Sequence, residues 1–222
     1  TIFPPTKRTT MSFVICEHGA LSPELCDELI NMWDRAPVTE VFNPDENRSD
    51  LVQPVNDEDN DRLKYEDHLG RSIYVIGGTN PDYEIIEKYC THAVPEHEDF
   101  KQISYVSIIQ YPEGTHMPFH RDNADDGDTG TVVYNLNDEF KGGKFHVDGH
   151  TFIPFLGNMI AFNDSNNRWH GVDPVFGDER FSLCIWYTDP DRTPEDEDDN
   201  QEEDVQQEQQ SEKKHSYAIL PE

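Results

Sequence analysis

From residue 103 onward the apolar side chains arrive in short runs, at 105–111, 131–136, 144–147, 158–162 and 181–187, rich in Val, Ile, Phe, Tyr and Thr. Turn residues, chiefly Gly, Asp and Asn, separate them, and this punctuated pattern reads as a series of strands rather than helices. Two helical patterns come before it. Ser22 stands as an N-cap with Pro23 at the first helical position, and Leu25, Cys26, Leu29, Ile30 and Trp33 follow at helical spacing. A second helix is predicted over 81–92, with Ile85, Ile86, Tyr89 and Cys90 as its buried stripe. Helices followed by many antiparallel strands predict a mainly β protein with N-terminal helices. Its expected core is a double-stranded β-helix, or jelly roll.

A chain of 222 residues fits one domain that buries roughly 70% of the surface its unfolded form would expose. Residues 1–100 are expected to supply helical support and a substrate-loop region, 101–188 the catalytic core, and 189–222 an acidic disordered tail. The Asn-, Asp-, Glu- and Pro-rich stretch 39–67 reads as a long mobile loop, for which a lid and a solvated linker both fit. Near the end of the tail, Tyr217 to Leu220 form a small apolar patch, expected to fray.

The formal net charge is -29. With no concentrated basic surface to meet phosphates, nucleic acid is not an expected partner. No apolar run is long enough to span a bilayer, and residues 1–16 lack a continuous apolar stretch, so neither membrane nor signal peptide is expected. The cysteines Cys16, Cys26, Cys90 and Cys184 lack the CxxC spacing of zinc or redox sites. Buried free thiols and a reducing cytoplasm are the corresponding expectations.

On an extended backbone residues i and i+2 point the same way, so His-x-Asp can direct an imidazole and a carboxylate at one metal ion. Three such triplets occur, at His97/Asp99, His120/Asp122 and His146/Asp148. His97 lies in the charged segment 95–99 and reads as a solvated turn. His146 follows Gly142-Gly143 and leaves only 23 residues before His170, too few for the strands that would separate near and far ligands. It reads as a surface or core-edge strand histidine. His120 follows a strand and a Gly114 turn and precedes an Asp-rich turn and another strand, which makes His120 and Asp122 the metal candidates. His170, after the strand 158–162 and a polar loop, is the natural third ligand. Two histidines and a carboxylate form a facial triad that leaves open positions on an octahedral iron, and ligand softness alone would also admit zinc or manganese. His116 and His120 also show the i, i+4 spacing of helical zinc proteases, but Met117 and Pro118 break the helix that such a site requires.

Arg180 stands ten positions after His170, at the start of the strand 181–187. A guanidinium presented from a strand into a barrel can grip a carboxylate bidentately while the other end of the same small molecule chelates the metal. The competing reading is a surface arginine paired with Asp178 or Glu179, and the apolar residues that follow Arg180 argue against it.

The blocks YPEGTHMPFHRD, VVYNLNDEFKGGKF and WHGVDPVFGDERFSLCIWYTD stand in order and with suitable spacing. Together they resemble the catalytic core of prolyl 4-hydroxylases and of the oxygen-sensing prolyl hydroxylases, Fe(II)- and 2-oxoglutarate-dependent dioxygenases. The resemblance implies His120, Asp122 and His170 as iron ligands and Arg180 as the residue that binds 2-oxoglutarate. It places Tyr111 in the active site, Phe145 beside the co-substrate after the Gly142-Gly143 turn, and Val172 and Trp186 at apolar pocket positions. Some relatives have a second tyrosine to help hold the distal carboxylate where this chain has Asn135 after Tyr134, so either residue is a candidate to assist Arg180. The implied reagents are Fe(II), 2-oxoglutarate and O2, with L-ascorbate as reductant. The implied reaction hydroxylates a substrate carbon and releases succinate and CO2.

The implied substrate is a prolyl residue in a peptide or protein, and the acidic surface favours a basic or neutral peptide. A free amino acid or other small molecule would fit the same metal site. A catalytically silent jelly-roll binding module would have no reason to keep all four polar residues. A cupin-like oxygenase would lack the arginine ten residues past the last ligand.

Overall fold

The computed structural model describes residues 13–36, 40–41, 62–122, 128–163 and 168–191. Helix α1 (Pro23–Arg35) opens on Ser22, whose Oγ accepts the Leu25 N–H at 3.2 Å, and it buries Cys26, Leu29 and Met32. Helix α2 (Pro81–Tyr89) opens on Asn80 in the same way and ends at Tyr89, three residues short of His92, with Cys90 as its cap. Ile86 and Cys90 are buried as the helical spacing predicts. Tyr89 is exposed instead, under the Lys88 ammonium, because the helix ends before its stripe completes another turn.

The strands are β1 (Val14–Glu17), β2 (Glu40–Val41), β3 (Arg62–Glu66), β4 (Ser72–Ile76), β5 (Gln102–Tyr111), β6 (Met117–His120) and β7 (Asp128–Asn135). They continue as β8 (Lys141–Gly142), β9 (Phe145–Val147), β10 (His150–Phe152), β11 (Met159–Asn163), β12 (His170–Val172), β13 (Val175–Phe176) and β14 (Arg180–Thr188). Among the described residues an eight-stranded sheet runs β1-β11-β7-β14-β5-β4-β3-β2, and a four-stranded sheet runs β10-β9-β12-β6. All pairs are antiparallel except β2 with β3. The mainly β jelly roll expected from the sequence is the fold observed.

Strand alternation divides the core into two layers. On β14, Phe181, Leu183, Ile185 and Tyr187 join the layer that contains α1 and α2. Cys184 and Trp186 join the layer between the sheets, with Phe145, Val147 and Val172 from the smaller sheet opposite. Fully burying one such Leu or Ile contributes roughly 1.5–3 kcal/mol.

The structure departs from the sequence reading in its N-terminal part. Residues before 101 supply β1, β3 and β4 to the large sheet as well as helices, and Glu40–Val41 and Arg62–Glu66 are strands within the stretch read as loop. Arg62–Glu66 alternates polar and apolar residues in its sequence and pairs on β4, and its charged positions disguise it as a strand. The expectations for 42–61, for 192–222 and for Tyr217 to Leu220 fall outside the described residues. Cys26, Cys90 and Cys184 are buried free thiols, whereas Cys16 on strand β1 is exposed.

Candidate active site

Strands β6 and β12 pair with His120 opposite His170, which brings the two imidazole centroids within 4.2 Å of each other. Asp122 follows two residues later. One donor atom from each of His120, Asp122 and His170 lies within 4.8 Å of the others. His120 Nδ1 is 3.0 Å from the Pro118 carbonyl and His170 Nδ1 is 2.9 Å from the Arg168 carbonyl. A carbonyl only accepts, so each Nδ1 carries a hydrogen and each Nε2 is the nitrogen that faces the cluster. These Nε2 atoms stand 3.7 and 3.4 Å from Asp122 Oδ1. The other Asp122 oxygen accepts from Thr131 Oγ1 at 3.3 Å and from Trp186 Nε1 at 3.2 Å, which aims Oδ1 at the imidazoles.

Burial and the neighbouring His170 ring push His120 down to about 4. Burial raises the Asp122 carboxyl, but His170, His120 and Trp186 outweigh it and hold it below the ordinary value. Both settings favour the forms a divalent cation needs, a neutral imidazole and a carboxylate.

Arg180 is 0% exposed. Nη2 donates to Asn135 Oδ1 at 3.0 Å and Nη1 to Ser182 Oγ at 3.3 Å. Its Cζ lies 5.0 Å from the Tyr111 ring centroid, in register with the Arg180–Tyr111 strand pair. Among the described residues no carboxylate pairs with it, and Arg180 Nε and Asn135 Nδ2 are buried donors without a partner. The pairing with Asp178 or Glu179 is thereby excluded. Gly143, at φ +57, gives the arginine its room, since a Cβ there would lie 2.7 Å from the Phe140 ring and 3.0 Å from Arg180 Cδ.

A cavity of about 210 Å³ connects these groups. His120, Asp122, His170, Arg180, Tyr111, Phe145, Val172 and Trp186 all line it. Asn135 reaches it through Arg180. Tyr134 is a correction: it faces the helix layer, and its hydroxyl donates to the Cys90 carbonyl. Adjacent residues on a strand point to opposite faces, so Tyr134 and Asn135 could never both meet Arg180.

The same alternation disposes of His146. It turns outward between Phe145 and Val147, with Nε2 2.8 Å from Asp173 Oδ1 and Nδ1 3.0 Å from Thr151 Oγ1. His97 is half-buried and caps a one-turn 3-10 helix, Nδ1 accepting the Asp99 N–H at 3.3 Å, which is more structured than a solvated turn.

The sequence reading missed the wall supplied by β3, β4, β5 and the turn between β3 and β4: Tyr65, Arg71, Ile73, Tyr105, Ser107 and Ile109. The β-branched run Ser72–Ile76 was the available signal for β4. Nothing local marks Arg71, which reaches Tyr111 only once β4 pairs with β5.

A jelly roll whose cavity is lined by a His, Asp, His cluster and by a buried guanidinium without a carboxylate partner among the described residues has the donor set for a metal ion and a place for an anion. Residues 106–188 match the family model described as the 2OG-Fe(II) oxygenase superfamily, in keeping with an oxidoreductase of the dioxygenase type. In fold the chain is similar to a prolyl hydroxylase from Trichoplax adhaerens, solved with a peptide fragment of the hypoxia inducible factor oxygen degradation domain. That match has a TM-score of 0.55 and 17% identity, covering 79% of this chain and 83% of that one. It is also similar to a Pseudomonas putida prolyl-4-hydroxylase, with a TM-score of 0.50 and 20% identity, covering 79% of this chain and 91% of that one. No curated protein matches by sequence. Among the described residues no helix is long and apolar enough to cross a membrane.

Proposed function

We propose that this chain hydroxylates a prolyl residue in a peptide or protein, using Fe(II), 2-oxoglutarate and O2, with release of succinate and CO2. The observation that carries the reading is the buried, unpaired Arg180 guanidinium in a cavity that also holds His120, Asp122 and His170. An isolated buried cation is costly and implies an anionic ligand. The residues fit the reagents: two imidazole Nε2 atoms and one carboxylate oxygen suit Fe(II), and the partnerless Arg180 Nε and Asn135 Nδ2 suit the distal carboxylate of 2-oxoglutarate.

Iron, when bound with 2-oxoglutarate, couples oxidative decarboxylation of the co-substrate to insertion of one oxygen atom into a substrate C–H bond. The protein's own part is to position and to shield. His120, Asp122 and His170 hold the metal on one side. Arg180, with Asn135 and Ser182 fixing its fork, sets the co-substrate's direction. Phe145, Val172 and Trp186 form apolar walls that exclude water. Ascorbate serves as the reductant that keeps the iron ferrous. The peptide reading draws on the fold shared with the two prolyl hydroxylases, and the net charge of -29 favours a neutral or basic peptide.

The test is succinate formation by anaerobically iron-loaded protein on admission of oxygen, with and without proline-containing peptides, beside Arg180→Met. Peptide-stimulated turnover that the variant loses supports the reading. Stimulation by free amino acids alone removes the peptidyl substrate, and absence of 2-oxoglutarate binding removes the assignment altogether.

A further inference from the structure

Tyr111 sits between two guanidinium groups. Its hydroxyl accepts a hydrogen bond from Arg71 Nη1 at 3.3 Å, and its ring centroid lies 5.4 Å from Arg71 Cζ and 5.0 Å from Arg180 Cζ. Arg71 comes from the β3–β4 hairpin, outside the residues 106–188 matched by the family model. The hairpin turn holds it rigidly. Asp67 Oδ2 accepts from Arg71 Nε at 2.7 Å and lies 2.6 Å from Nη2, while Oδ1 accepts the backbone N–H groups of Leu69 and Arg71 at 3.0 and 2.9 Å. The Arg71 side chain is only 10% exposed and lines the cavity.

A guanidinium has donors and no acceptor. Both cations beside the phenol oxygen can therefore give it hydrogen bonds, and neither can take its hydrogen. Among the described residues no acceptor for that hydrogen stands in hydrogen-bonding contact with it. The direction left to it is the cavity.

We propose that Arg71, clamped by Asp67, is a positioning residue for the co-substrate: it occupies the acceptor side of the Tyr111 hydroxyl and turns the phenol hydrogen into the cavity as a donor to the anionic end of 2-oxoglutarate. This rests on the function proposed above and extends it to a hairpin outside the matched domain. Two consequences follow from the geometry. Arg71 acts on the co-substrate only through Tyr111, and co-substrate binding in turn tightens residues 62–76, because coupling between two groups is reciprocal.

The experiment measures 2-oxoglutarate binding by calorimetry to the full chain loaded anaerobically with Mn(II). The variants are Arg71→Lys, Tyr111→Phe and the double variant. Lysine keeps the ion pair with Asp67 but lacks the fork that reaches Asp67 and Tyr111 together. Each single variant is expected to raise Kd by about tenfold, the worth of one hydrogen bond to a charged group. The double variant is expected to bind no more weakly than Tyr111→Phe alone, since the two residues form one unit. An unchanged Kd in Arg71→Lys, or factors that multiply in the double variant, overturns the proposal.

Hydrogen exchange over residues 62–76 provides a second arm that stands even if the Arg71 variant fails to fold. Exchange there slows on adding 2-oxoglutarate to the wild type and does not respond in Tyr111→Phe; a response that persists in Tyr111→Phe overturns the proposal. A wild type that binds Mn(II) but no 2-oxoglutarate overturns the proposed function and this inference together. Wild-type binding with no effect in the variants overturns this inference alone.

Discussion

Replacing Arg180 with methionine separates a residue kept for binding from one kept for folding. The guanidinium is fully buried, and its neighbours Asn135, Ser182 and Tyr111 are all neutral. The effective cost of burying an ion without a counter-charge is several kcal/mol, here taken as about 5. Its two hydrogen bonds to neutral side chains return roughly 1.5 kcal/mol each, since one partner is charged. Ligand-free Arg180→Met, whose side chain fills similar volume with apolar atoms, is thus expected to be more stable than wild type by about 2 kcal/mol. For a chain of this size that raises the melting temperature by roughly 4–8 °C. Adding 2-oxoglutarate with Mn(II) at a hundredfold excess over Kd should stabilise the wild type by about 2.7 kcal/mol and leave the variant where it was. The order of stabilities then reverses on adding ligand. Scanning calorimetry of both proteins, with metal alone and with metal plus co-substrate, reads all four states. A ligand-free variant that melts well below the wild type would refute the reasoning, because Arg180 would then be holding the fold. So would a variant that still gains stability from 2-oxoglutarate.

Other outcomes can be stated from the same geometry. Asp122→Asn removes the one anionic donor of the cluster, and Mn(II) affinity, read by electron paramagnetic resonance, should fall at least tenfold; retained affinity would place the metal elsewhere. Tyr134→Phe should lower stability by about 1 kcal/mol, through the lost bond to the Cys90 carbonyl, with 2-oxoglutarate binding unchanged, whereas Asn135→Ala should weaken that binding. Gly143→Ala, strained at φ +57 and crowding Arg180 Cδ, should lose both stability and co-substrate affinity in the same titrations. In metal-free protein the unfolded chain protonates His120 near its ordinary 6.5 and the folded chain only near 4, so this residue's contribution is present above pH 6.5 and is lost as pH falls toward 4. Melting curves across that range should therefore drop more steeply for wild type than for His120→Gln, and parallel curves would contradict the buried, neutral imidazole.

Much of the site was legible because its parts are local. His-x-Asp on an extended segment places two ligands on one face whatever the strand pairs with, and the period of two carries Arg180, Ser182, Cys184 and Trp186 to a single surface. The same period would have excluded Tyr134 had it been applied to the pair Tyr134–Asn135. Short β-rich runs between turns sufficed for the fold class, since they can bury a face only by pairing into sheets. What the sequence could not reveal depends on register and on contacts between distant segments. His120 meets His170 because β6 and β12 pair with these two residues opposite each other. Arg71 becomes part of the cavity because the 67–71 turn folds back and β4 lies beside β5. Strand β3 alternates charged and apolar residues in its sequence, so local propensity is weak there and its neighbour β4 decides. Chain-local geometry thus determined the chemistry this protein can carry, and tertiary pairing decided where that chemistry converges, because the energy of bringing remote groups together resides in the whole sheet and in no single stretch of it.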